Sequence, residues 1–234
     1  KAMMCRFHTQ TAGSTLTAQD IDNNIIRTTL QATSAVIGGT QSLHTNSKDE
    51  ALSLPTPEGA ETALRTQQII GFESGIPDVA DPMAGSYYIE SLTDEITAKV
   101  NELISEIDNQ GGAVKAIEKN FQQNMISKSS YQYQMEIDRK ERTVVGVNEF
   151  TSDSDDDHQL QKIDENAVKN QLNRLNKFKK NRNKNLVATT LKKLENSINQ
   201  DINIMPSIVE CVEANVTLGE ISDLLREKFG EHRN

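Results

Sequence analysis

Tryptophan is absent from the 234-residue sequence, aromatic residues make up 4% of it, and cysteine occurs twice. A core built from this chain must therefore rest on Leu, Ile, Val and Ala. Cys5 and Cys211 lie too far apart to form a C-x-x-C metal or redox pair. They read as free thiols, as expected in a reducing cytoplasm. No apolar run approaches the ~20 residues that a membrane-spanning helix needs. No hydrophobic stretch follows the charges of "KAMMCRF", as one would in a signal peptide. A basic surplus is also lacking: 34 Asp and Glu outnumber 25 Lys and Arg, for a net charge of −9. A nucleic-acid binder needs the opposite sign. The basic cluster Lys177–Lys184 has acidic neighbours and reads as a solvated helix or linker face. There is no Ser/His/Asp arrangement, no phosphate-cradling glycine loop and no set of metal ligands. The expectation is no nucleic acid, no membrane and no metal.

What the chain does have is a rhythm of short strands and helices. "MMCRFHTQTAG" fits a strand opening into a loop. Thr17-Ala18-Gln19-Asp20 resembles a capping box, and Ile21, Ile25, Ile26, Leu30 and Val36 follow at helical spacing. Gly38-Gly39 ends that helix. Thr40–Asn46 predicts a second strand, and Pro57 starts a helix running to about Gly71. Strand–helix–strand–helix is the pattern of an α/β fold with a parallel sheet or barrel. A closed β/α barrel needs eight strands and typically ~250 residues, so further strands are expected upstream.

Beyond "DPMAGSYYIE" the pattern turns helical. Helices are predicted over Leu92–Ile107 and Ala113–Asp138, separated by Gly111-Gly112, with a brief strand over Thr143–Phe150. "TSDSDDDHQLQ" reads as an acidic linker. Helices follow over Ala167–Phe178, Leu186–Asn199, Met205–Asn215 and about Leu218–Phe229, the last capped by Thr217. The domain reading is 1–80 for the βα units, 81–150 for a helical region, 151–165 for the linker and 166–234 for a C-terminal helical segment.

Two polar clusters fall at the C-terminal ends of the predicted strands, where β/α barrels build their sites. One is His8, Gln10 and Gly13. The other is Gln41, His44 and Asn46, followed by Asp49 and Glu50. Each residue also has an ordinary reading. A lone His is commonly structural, Gln10 and Gln41 can satisfy loop backbone, and Gly13 can serve a turn of positive φ. Glu50 can be a helix-start acid favoured by the dipole. A metal hydrolase using His8 and His44 lacks a suitably spaced third ligand.

Taken together, "RFHTQTAGSTLTAQDIDNNIIRTT" and "TQSLHTNSKDEALSLPT" closely resemble the methylmalonyl-CoA mutase family of adenosylcobalamin-dependent acyl-CoA mutases. "DPMAGSYYIESLT", "GGAVKAIE", "VVGVNEF" and "TLGEISDLLREKFGEHR" extend the resemblance over essentially the whole chain. It implies the last two βα units of a TIM barrel followed by a mainly helical region. The H-x-Q-T-x-G segment would follow the seventh strand, and "SLHTN" would end the eighth. The family's cobalt-ligating D-x-H-x-x-G motif has no proper counterpart. The nearest stretch, Asp156-Asp157-His158-Gln159-Leu160-Gln161, lacks the glycine.

The resemblance places Gln10, Gly13, Glu50 and Ser53 against adenosylcobalamin, with Glu50 on the adenosyl ribose and Ser53 in contact through its backbone. It points Gln41 towards the acyl group of the substrate, with His8 and His44 as candidates for the same pocket. The residues that bind the thioester carbonyl and the free carboxylate belong to earlier strands, so no catalytic residue is assignable. The implied function is part of the catalytic subunit of a cytoplasmic mutase that isomerises methylmalonyl-CoA, or a close relative, by radical rearrangement. The implied partners are an N-terminal barrel half, a separate cobalamin-binding small subunit and an acyl-CoA. This chain alone is expected to be inactive. A non-catalytic docking fragment of such a complex is the alternative.

Overall fold

The computed structural model describes residues 4–152 and 160–231. The chain forms two compact units, Lys1–Gln161 and Lys162–Asn234. The stretch from Asp153 to Gln159, which carries most of the expected acidic linker and His158, lies outside the described residues.

The first unit begins with strand β1 (His8–Gln10), helix α1 (Asn23–Ile37), strand β2 (Ser42–His44) and helix α2 (Pro57–Glu73). The strands pair in parallel, with His8 opposite Ser42 and Gln10 opposite His44. Parallel strands need a crossover, and α1 supplies it. Its buried positions are Asn24, Thr28 and Ala32, a four-residue spacing that makes one stripe. Helix α2 starts where proline costs nothing: Thr56 is the N-cap and its side chain accepts from Gly59 N, with Pro57 in the first turn. The α/β character is therefore present as a small two-stranded parallel sheet within a helix-rich chain.

Three local expectations are corrected. The Thr17–Asp20 capping box is not formed. The N-cap of α1 is Asp22, without a side-chain cap bond, and Asp20 takes a positive φ of 43°. Tertiary partners claim the capping groups instead. Thr17 N donates to Asn24 Oδ1, and the Asp20 carboxylate accepts from Ser152 Oγ. The helix expected over Ala113–Asp138 is two helices, α4 (Ala113–Glu118) and α5 (Phe121–Asp138). Asn120, left-handed at φ 58°, breaks them, a conformation that asparagine tolerates better than most residues. Thr143–Phe150 is a tight turn with one isolated bridge, Val145 to Glu149, rather than a strand. Asn148 holds it closed by accepting from Val144 N and donating to the carbonyls of Arg142 and Ile137. The long helix α3 (Tyr87–Asn109) precedes these and buries none of its residues.

Among the described residues the second unit has four helices: α6 (Glu165–Asn181), α7 (Lys184–Asn199), α8 (Met205–Glu213) and α9 (Leu218–Phe229). Its core joins Val187, Leu194, Cys211, Ala214, Val216 and Ile221. Cys211 is a free, buried thiol, and burial pushes its pKa up. Thr217 and Glu220 make a true capping box at α9. Arg182 binds that Glu220 carboxylate with both terminal nitrogens and also reaches Asn215 O. Among the described residues no helix is long and apolar enough to cross a membrane.

Candidate functional site

The two strands end side by side, and the loops that follow them are tied together. Thr11 N donates to His44 O at 3.1 Å, and Asn46 N donates to Thr11 Oγ1 at 2.9 Å. This lacing brings the segment after β1 against the segment after β2. Gln10 Nε2 then reaches Asn46 Oδ1 at 3.1 Å. Gly13 lies so close to Asn46 that a Cβ on it would stand 2.8 Å from Asn46 Nδ2, with Glu50 Cγ and Oε1 at 3.5 and 3.6 Å. Gly13 is not among the residues of positive φ. Its lack of a side chain serves close approach, not a turn.

Gln10, Gly13, Asn46 and Glu50 thus form one cluster at the C-terminal ends of the strands. Asn46 is 3% exposed, and its Nδ2 is buried without a hydrogen-bond partner. An orphaned buried donor is rare and costs free energy unless something accepts from it. Glu50, in contrast, is exposed. A carboxylate and an amide donor side by side can accept from a diol and donate to a neighbouring oxygen or ring nitrogen.

The remaining expected residues are placed differently. Ser53 turns its hydroxyl onto Leu54 O at 2.8 Å, and its N donates to Asp49 O. His8 Nδ1 pairs with Ser42 Oγ at 2.7 Å across the strands, and its side of β1 is exposed. His44 is exposed at the end of β2. Gln41 is not brought to the cluster. Its Oε1 accepts from Phe7 N at 2.7 Å and its Nε2 donates to Gly39 O at 2.6 Å, at the opposite end of the strands. Among the described residues no group of three or more His, Cys, Asp or Glu is placed to hold a metal ion.

Two residues of this region carry more than their sequence showed. Asn46 looked like one more polar loop residue. Only its burial and its unpaired nitrogen set it apart, and neither has a sequence signature. Asp49 looked like a companion of Glu50, yet it is 3% exposed. Burial pushes its carboxyl up, but hydrogen bonds from Ser47 and Thr56 outweigh that and hold it below the ordinary Asp value.

Comparison with known proteins adds an independent line. The family profile described as Methylmalonyl-CoA mutase matches residues 1–231. The mitochondrial methylmalonyl-CoA mutase of Homo sapiens is 43% identical over 235 aligned residues, which cover 100% of this chain and 31% of that protein. Methylmalonyl-CoA mutase of Escherichia coli (strain K12) is 42% identical, covering 99% of this chain and 33% of that protein. The 2-hydroxyisobutanoyl-CoA mutase large subunit of Aquincola tertiaricarbonis is 39% identical, covering 100% of this chain and 42% of that protein. The chain therefore spans roughly a third of the length of such relatives.

Proposed function

We propose, for a chain that belongs to the methylmalonyl-CoA mutase family, that it supplies the last two βα units of a β/α barrel and the helices beyond it to an adenosylcobalamin-dependent acyl-CoA mutase. In this reading residues 1–80 are the barrel units, 81–150 the post-barrel helices, 151–165 a linker and 166–234 a C-terminal helical segment. The rest of the barrel and the cobalamin-binding part come from outside these residues. A relative named as a large subunit favours a separate small subunit as one way to provide the latter. Mammalian relatives carry the word mitochondrial and others are bacterial, so compartment does not follow from family.

One observation carries the assignment of the site: the orphaned Asn46 amide, pressed against bare Gly13 beside the Glu50 carboxylate. The donor set fits an adenosyl group. Glu50 would accept from the two ribose hydroxyls, Asn46 Nδ2 would donate to the same moiety, and Gly13 would keep the wall thin enough for it to approach. Gln10 would hold Asn46 in that orientation through its 3.1 Å bond. The chemistry that adenosylcobalamin supplies when bound is homolysis of its cobalt–carbon bond, which starts a radical rearrangement of the acyl carbon skeleton. The residues here bind, orient and exclude water. His44 would face the acyl-CoA side from the C-terminal end of β2, whereas His8 starts β1, pairs with Ser42 Oγ and has no role in this reading. Gln41, engaged with backbone at the opposite end of the strands, has no role in this reading.

Glu50→Gln tests the reading in the complete protein. It keeps the size of the side chain and removes charge-assisted hydrogen bonds worth about 1.5–3 kcal/mol each. Turnover should fall about 10- to 100-fold if that energy is expressed at the transition state. Stopped-flow absorbance of the bound cobalamin should show slower homolysis. Unchanged homolysis and turnover would remove Glu50 from the site.

A docking role for the rest of the chain has support of its own. Helix α3 exposes Leu92, Ile96, Val100 and Ile104 along one face, more apolar surface than an isolated helix keeps in water.

A further inference from the structure

Among the described residues Asp49 is the only Asp, Glu, Lys, Arg or His that is buried. A buried carboxylate is costly unless its charge is satisfied. The nearest lysine in sequence, Lys48, is committed elsewhere, to Asp22 at 2.8 Å and Glu58 at 3.5 Å. Asp49 is satisfied by donors instead. Its Oδ1 accepts from Ser47 Oγ, and its Oδ2 accepts from both Thr56 N and Thr56 Oγ1 at 2.8 Å. The carboxylate also sits at the N-terminal end of α2, where the helix dipole favours negative charge.

Helix α2 does not need this acid as a cap, because Thr56 already caps Gly59 N at 3.1 Å. What the acid does is tie the preceding turn down. Glu50 N donates to Ser47 O, and Leu52 N and Ser53 N both donate to Asp49 O. The chain is thus pinned on both sides of Glu50, by the main chain of Asp49 and by its side chain. The first turn of α2 is bare to receive this clamp. A Cβ on Gly59 would overlap Ser47 Oγ and lie 2.9 Å from Asp49 Oδ2.

We infer that Asp49 is a positioning residue for the wall formed by Asn46 and Glu50. Its buried carboxylate locks the Ser47–Thr56 turn onto the start of α2, so that both side chains keep a fixed place against Gly13. The inference rests on the adenosyl-binding reading above. Asp49 contacts no ligand in it and acts through the backbone of the turn.

The test uses the complete protein with its cobalamin-binding part and compares affinities for adenosylcobalamin and hydroxocobalamin, read by visible absorbance. Hydroxocobalamin lacks the adenosyl group, so the ratio of the two affinities reports the wall alone, whereas a general loss of stability weakens both. Asp49→Asn preserves shape but replaces one acceptor by a donor, and it should narrow the ratio about tenfold. Thr56→Ser keeps the hydroxyl and should retain the wild-type ratio. Thr56→Val removes one donor to Asp49 and leaves Asp49 in place; it also removes the Gly59 cap, a loss of stability that weakens both affinities. It should narrow the ratio about threefold, and it gives the reading if Asp49→Asn does not fold. In a double variant, Asp49→Asn should add less than its own single loss to that caused by Glu50→Gln, because part of its effect acts through Glu50 and the rest through Asn46. A lower melting temperature with a wild-type ratio for Asp49→Asn, or losses that multiply in the double variant, would overturn the positioning role while leaving Glu50 in the site. A wild-type ratio for Glu50→Gln alone would overturn the adenosyl-binding reading itself, and the positioning role with it.

Discussion

Two glycines in the first unit show how differently the same residue can be used. At Gly13 the constraint is space, with Asn46 Nδ2 2.8 Å from where a Cβ would sit. At Gly39 the constraint is conformation: φ is 79° and nothing lies within 4 Å. Gly13→Ala should therefore displace the Asn46 amide, cost about 1–3 kcal/mol as overpacking does and weaken binding of adenosylcobalamin in the complete protein. Gly39→Ala should cost about 1 kcal/mol through strain and leave that affinity unchanged. Thermal melts paired with cobalamin titrations separate the two. Equal effects on affinity would mean that Gly13 is not at the site. The sequence marks both as glycines near helix ends and does not distinguish them. Gln10, Gly13, Asn46 and Glu50 were legible as strand-end residues because parallel βα units put their polar loops at one end; His8, read with them, starts β1 instead. The convergence of Gln10, Gly13, Asn46 and Glu50 was not, since it depends on the Thr11 bonds that lace the two loops.

At the scale of elements, Thr17 and Thr217 were both read as helix caps, Thr17 with the look of a capping box, yet only Thr217 forms one. Thr217-Leu218-Gly219-Glu220 forms its box because Glu220 faces back onto Thr217 N at 2.9 Å and Arg182 steadies the carboxylate. Thr17-Ala18-Gln19-Asp20 does not, because Asn24 takes Thr17 N and the distant Ser152 takes the Asp20 carboxylate. Local patterns survive where tertiary contacts agree with them and fail where they compete. The surviving box has a pH signature. Arg182, through its hydrogen bonds, and Thr217 hold the Glu220 carboxyl at about 2, below an ordinary 4.5. A depressed carboxylate stabilises the fold fully above its unfolded value and loses that contribution as pH falls through its folded value. The Glu220 contribution, about 2 kcal/mol once partial exposure is discounted, should be present above roughly pH 4.5 and fade towards pH 2. Urea midpoints of the wild type and Glu220→Gln should differ at pH 7 and converge as the pH approaches 2. A gap that stays constant with pH would show that Glu220 acts through shape alone.

At the scale of the whole molecule, the two units differ in how far they are complete. Residues Lys162–Asn234 own an apolar core, with Leu194 and Cys211 fully buried. The Lys1–Gln161 unit instead carries a sheet of two three-residue strands, and exposes Ile26 and Leu30 on α1 together with the apolar face of α3. Each strand of a two-stranded parallel sheet keeps one edge unpaired, and such edges and faces favour association. The Gln10–Gly13–Asn46–Glu50 cluster stands at the open ends of those strands, with Glu50 exposed to water. Radical chemistry requires a closed pocket that keeps water and stray hydrogen donors away, and two βα units cannot enclose one. The chain alone, supplied with adenosylcobalamin and methylmalonyl-CoA, should therefore show no isomerisation, and size-exclusion chromatography should show it associating. Co-expression with a relative's preceding barrel segment and a cobalamin-binding subunit should restore both a discrete elution peak and turnover. Substituting Glu50→Gln in that assembly should lower the turnover about 10- to 100-fold and leave the peak in place, which separates catalysis from assembly. Turnover by the isolated chain would mean that the cluster closes on itself, and the barrel assignment would fall.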